Sequence, residues 1–196
     1  MDGTRLTKER FMEEVKNHKM KVLYDNGLYR HLHFSDGTFN MAFDVVTWPN
    51  HLAYTGDMGS FLFSRIEDMF NFFRRKDGEI NPGYWSEKVL AESCFGGGIR
   101  EFSVEEFRDC VLEEVMRSLD VEEKEDIPED IMEEIYFLLH AEDEYECVTA
   151  MRDSSSTKVN LDDFWEHTVT RGTYHYIWCC YALVFAIGEY DKSKED

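Results

Sequence analysis

Basic residues are in short supply in this 196-residue chain: 21 lysines and arginines stand against 41 aspartates and glutamates, for a formal net charge of −20. A field of that sign repels nucleic acid and anionic membranes and steers a protein toward basic surfaces, so direct DNA binding is excluded from the expected functions. A disulfide framework is lacking too. The five cysteines, Cys94, Cys110, Cys147, Cys179 and Cys180, show no repeated spacing and no Cys-x-x-Cys pair, which predicts reduced thiols. No long hydrophobic run is present. The longest, YIWCCYALVFAI from Tyr176 to Ile187, would make about 18 Å of helix against a bilayer core of about 30 Å, and suits a buried helix instead. The first ten residues are polar and carry no apolar signal core, so the expected setting is cytoplasmic.

What is present is material for a core. Hydrophobic residues make up 43% and aromatics 15%, well above a disordered composition. The length allows one good core or two small ones.

Thr7 can cap a helix to about His18, with Phe11, Met12 and Val15 on one side. Two β-rich runs flank Asp25-Asn26-Gly27, and Asn-Gly supplies the positive φ angles of a tight hairpin. TFNMAFDVVTW, HLAYT and SFLFS continue the series, the first ending at Pro49 and the last two joined by Gly56-Asp57-Met58-Gly59, whose glycines are expected to supply unusual backbone angles and whose Asp57 is expected to bond amides within the turn. Ile66, Met69, Phe70 and Phe73 then take helical spacing. After Asn81-Pro82-Gly83, GYWSEKVLAES reads as a short helix. Ser103-Val104-Glu105-Glu106 is a capping-box pattern opening a helix to Leu119. Pro128 suits the first turn of another reaching His140, a further short one is expected over Tyr145 to Met151, and Tyr174 to Tyr190 is apolar around most of its circumference. The expected fold is α+β: an N-terminal helix and an antiparallel meander of four to five strands packed with helices over residues 1–80, then an acidic helical half over 81–196 centred on the last helix, the two forming one compact unit.

Between Glu105 and Glu146 stand 18 acidic and three basic residues, a net of −15. Like charges at helical spacings oppose helix formation by a few tenths of a kcal/mol per pair, so something other than local stability is expected to retain them. DNA is gripped by rows of lysine and arginine, and a rigid acidic helix can occupy such a row. Glu113, Glu114, Glu122, Glu123, Asp126, Asp130, Glu133 and Glu134 are the expected contacts to a basic, nucleic-acid-binding partner.

Catalytic candidates are weaker. His31 and His33 alternate on a strand, with Asp36 and His51 as expected neighbours, but spacing places no third metal ligand. Cys94 precedes Gly96-Gly97-Gly98 without a base to activate it. The Gly56 to Gly59 turn lacks the lysine and hydroxyl of a phosphate loop, and two of Arg65, Arg74 and Arg75 are expected to balance Glu67 and Asp68. His175 reads as a hydrogen-bonded core histidine. No catalytic residue, cofactor or metal is predicted, and the alternatives to a binding protein are an enzyme acting on a nucleotide signal near His31, His33 and Asp57, or a small-ligand-binding or structural module.

TWPNHLAYTGDMGSFLFSRIEDMFNFF and YHYIWCCYALVFAIGEYD resemble segments of a family of bacteriophage-encoded accessory proteins. That resemblance implies a non-enzymatic protein of the host bacterial cytoplasm that inhibits host defence, as anti-CRISPR proteins do, with a CRISPR effector as the favoured partner. It carries over no functional residue.

Overall fold

A computed structural model of the protein describes residues 6–93, 97–154 and 159–195. Its elements run α1 (Lys8–Glu14), β1 (Lys19–Asn26), β2 (Tyr29–Ser35), β3 (Phe43–Trp48), β4 (His51–Gly56), β5 (Gly59–Ser64), α2 (Met69–Phe73), α3 (Pro82–Ser86), β6 (Val89–Glu92) and β7 (Arg100–Phe102). They continue with α4 (Val104–Leu119), α5 (Glu129–Glu134), α6 (Tyr136–Leu139), α7 (Glu144–Asp153), β8 (Thr170–Gly172) and α8 (Tyr174–Glu195), with 3₁₀ turns at Lys124–Asp126 and Asp162–Glu166. The fold is α+β. It divides into two compact units: Met1–Arg100 with Gly172–Asp196, and Glu101–Arg171.

In the first unit, β1 to β6 form one antiparallel sheet in sequence order. Three of the meander's connections are tight turns with their own turn chemistry. Gly27 at φ +62 turns β1 into β2, with Asn26 paired to Tyr29, so the turn is centred on Gly27-Leu28, one residue beyond Asn-Gly. Pro49 fixes the first central position of the next turn and Asn50, at φ +68, takes the left-handed second one. Gly56 pairs with Gly59 around Asp57-Met58. Only Gly59 of these two needs a positive φ, at +98; Gly56 is small because a Cβ there would stand 2.3 Å from the Ala42 carbonyl oxygen. Asp57 reaches outside its own turn and accepts from the Met41 amide at 2.8 Å.

One sheet face is core. Leu32, Phe34, Phe43, Val45, Leu52 and Phe63 are fully buried, and α8 covers them. Trp178 meets Phe43 edge-on at 5.5 Å and Phe11 of α1 at 5.0 Å, while its indole N–H donates to Glu14 at 2.9 Å. Tyr176 packs on Phe61 and Phe185 on Phe34, each at 5.6 Å. The apolar circumference of α8 therefore serves the sheet, and the expectation that it centres the helical half is corrected. It is buried on several sides because α1, α2 and α3 pack against it as well.

Three further expectations change. VLAE is the sixth strand, paired with β5, too short for its alternation to show. Arg65 to Glu67 lie outside α2, whose five residues start after the Asp68 cap, and Ile66 is exposed. The helix drawn from Pro128 to His140 breaks at Ile135 into α5 and α6.

The second unit has its own core of Phe107, Val111, Val115, Ile135, Leu138 and Cys147. Ser103 caps α4 by accepting from the Glu106 amide at 3.2 Å, and Asp143 caps α7 through the Glu146 amide at 2.8 Å. No helix among the described residues is long and apolar enough to cross a membrane.

Candidate partner-binding surface

The segment 101–171 holds 23 acidic and six basic residues, so it carries −17 of the chain's −20. The helices of this unit turn their apolar residues inward, which leaves the carboxylates outside. Glu113, Glu122, Glu123, Asp126, Asp130 and Glu133 are exposed, and Glu134 is half-buried. The acids of α4 also act on the thiol within it: Cys110 is pushed up first by burial and then by the carboxylates of Glu113, Glu106 and Asp109.

Glu114 departs from the expectation. It is 3% exposed and receives the His167 ring nitrogen and the Arg117 guanidinium, with Asp163 3.6 Å from the same guanidinium. Burial alone would raise its carboxyl; hydrogen bonds from His167 and Arg117 outweigh that and hold it below the ordinary glutamate value. Glu114 is thus a strut between α4 and the segment before β8, and not a contact for a partner. Sequence reasoning missed His167 because its partner lies 53 positions away, beyond any periodic signal.

Some of the other acids have local explanations. Glu105 and Glu106 lie in the first turn of α4, Glu129 and Asp130 in that of α5, Glu144 and Glu146 in that of α7, where exposed backbone N–H groups favour negative charge. Glu113, Glu122, Glu123 and Glu133 have no such position.

The structure separates most of the catalytic candidates. His31 and His33 do converge, but on Asp44, at 2.7 and 3.3 Å, from the partly exposed face of the sheet. Asp57 is held by Met41, Asp36 by the amide and hydroxyl of Thr38, and His51 by the Pro49 carbonyl. Among the described residues no group of three or more His, Cys, Asp or Glu could hold a metal ion. Arg74 pairs with Asp191 at 2.6 Å, and Asp68 takes its direct partner from β2, Arg30 at 2.9 and 3.0 Å, with Arg74 adding only a longer-range attraction. His175 is half-buried, its ring 6.2 Å from that of Tyr174. Cys179 and Cys180 are fully buried in α8, and burial raises both thiols. Cys94 and Gly96 lie outside the described residues.

No protein-family model, curated protein or solved structure matches the chain.

Proposed function

We propose that this chain is a phage-type inhibitor of a bacterial defence system, an anti-CRISPR-like protein that acts in the host cytoplasm by binding rather than by catalysis. Its partner is a basic, nucleic-acid-binding protein or complex, with a CRISPR effector favoured, and its contact surface is the helical unit. One observation carries this reading: −17 of the net charge of −20 sits on the 101–171 unit, largely as exposed carboxylates. Such a surface offers lysine and arginine side chains what a phosphate backbone offers them, and occupies their groove in its place. The resemblance to phage accessory proteins supplies the biological setting.

The contacts are Glu113, Glu122, Glu123, Asp126 and Glu133, with Asp130 and Glu134 at their side. Changing Glu113, Glu122, Glu123 and Asp126 together to lysine is the test, because all four are exposed and the fold survives such changes to within about 0.5 kcal/mol each. Tagged protein is used to capture partners from bacterial lysate, with mass spectrometry at low and high salt. The expected result is a basic nucleic-acid-binding protein captured by wild type, released by salt and lost in the fourfold variant. Capture that survives the four reversals, with circular dichroism unchanged, overturns the proposal.

A further inference from the structure

The helical unit carries a groove of about 390 Å³ whose walls are chemically unlike the rest of its surface. One wall is Tyr136 and Phe137 of α6 with His140 after it. Tyr136 is 58% and Phe137 41% exposed. The His140 ring stacks on Tyr136 at 3.7 Å while its Nδ1 meets the Tyr136 carbonyl at 2.9 Å, so the aromatic wall is fixed before anything binds. The other wall is α7, where Tyr145 is 78% exposed.

Along α7 the groove is lined by Glu146, Thr149, Ala150 and Asp153, spaced i, i+3, i+4 and i+7. That spacing is one helical stripe. It puts a carboxylate at each end, about 10 Å apart along the axis, with small side chains between them. None of the described lining residues is lysine or arginine, and the surrounding segment from Glu105 to Glu146 has a net charge of −15.

Three exposed aromatics around a channel are costly to leave in water and mark contact surfaces. The bracketing carboxylates define what fits. We infer that the groove between α6 and α7 docks a short amphipathic helix of a protein partner: an aliphatic side chain enters over Ala150 between Tyr136 and Tyr145, and a lysine or arginine on either side of it, about two turns apart, meets Glu146 and Asp153. This rests on the reading of the helical unit as a binding surface and names the chemistry of the segment bound.

The test titrates the ¹⁵N-labelled full chain with three alanine-based helical peptides. The first has leucines on one stripe and an arginine two turns from another on its flanks, the second replaces leucine by alanine, and the third replaces arginine by glutamate. The expected result is saturable binding of the first, with shift changes concentrated in residues 136–153, and at least tenfold weaker binding of the other two. Tyr145→Ser, at an exposed position, weakens the first peptide at least about fivefold, the loss that follows truncation of an aromatic anchor. Equal binding of the leucine-free peptide, an unchanged affinity in Tyr145→Ser, or no saturation by about 1 mM overturns the groove. Occupation of 136–153 by a second copy of the chain, seen as a concentration-dependent dimer, overturns it as well. Each of these failures leaves the fourfold reversal of Glu113, Glu122, Glu123 and Asp126 free to succeed or fail on its own.

Discussion

Replacing Glu114 by alanine is expected to damage the helical unit more than any other single change among its acids. The side chain is 3% exposed and is held by two partners, the His167 ring at 24% and the Arg117 guanidinium at 59% side-chain exposure. A hydrogen bond to a charged group contributes about 1.5–3 kcal/mol; the His167 contact supplies that range, whereas the contact to the exposed Arg117 is screened by solvent. The loss is then about 1.5–3 kcal/mol. Glu113→Ala, one position away but exposed, should cost no more than about 0.5 kcal/mol. Hydrogen exchange over 104–119 is the suitable assay, because two compact units need not unfold together.

The same contact fixes a pH signature. The folded carboxyl lies below the ordinary glutamate value, near 4.3. The stability that wild type holds over Glu114→Gln is therefore fully present above about pH 4.3 and is lost as pH falls through the lowered folded value. An exchange pattern in Glu114→Ala identical to that of Glu113→Ala, or a wild-type advantage unchanged between pH 7 and pH 2, would refute the reasoning.

Two predictions concern the sheet unit. Asp68→Ala strands Arg30, which is 9% exposed and 4.5 Å over the Phe70 ring, and removes the acceptor of the Phe70 amide at the start of α2; a loss of about 3–5 kcal/mol is expected in urea denaturation, and a loss under 1 kcal/mol would show that the pair contributes little. Gly56→Ala drives a Cβ into the Ala42 carbonyl at 2.3 Å and Phe43 Cα at 2.7 Å, both backbone atoms that cannot rotate away, so a cost of at least about 2 kcal/mol is expected. Gly83→Ala in α3 meets nothing within 4 Å and should leave the thermal midpoint unchanged or slightly higher; equal effects at the two glycines would remove the close-approach argument.

Much of the sheet was legible because its determinants are local. Gly27, Pro49 and Gly59 mark three of the boundaries between strands, and alternation along the strands set the buried face. The helix caps at Thr7 and Ser103 were readable for the same reason. What stayed hidden depends on distant partners. A run apolar on all sides announces burial, but nothing in its periodicity says that α8 meets Phe34, Phe43 and Phe61 rather than the helices that precede it. VLAE is a strand only because β5 stands beside it. Glu114 looks like its neighbour Glu113 in sequence, and only His167 makes the two different.

That last contrast sharpens the functional reading. Once Glu114 is assigned to its ion pair with Arg117 and Glu105, Glu106, Glu129 and Glu144 to the first turns of α4, α5 and α7, a sizeable part of the acid load has a structural cause. Those residues would persist in a protein with no partner at all. Glu113, Glu122, Glu123 and Glu133 would not, since each is exposed and each adds like-charge repulsion to its surroundings without a helix end to offset it. Glu125 and Asp126 sit in a single 3₁₀ turn whose dipole is too short to matter. The residues that folding leaves unexplained are thus concentrated in the middle of α4, in α5 and in the connection between them, and reversal of charge should distinguish the two groups: at the helix starts it should lower stability, and in the unexplained set it should remove a partner while leaving stability where it was.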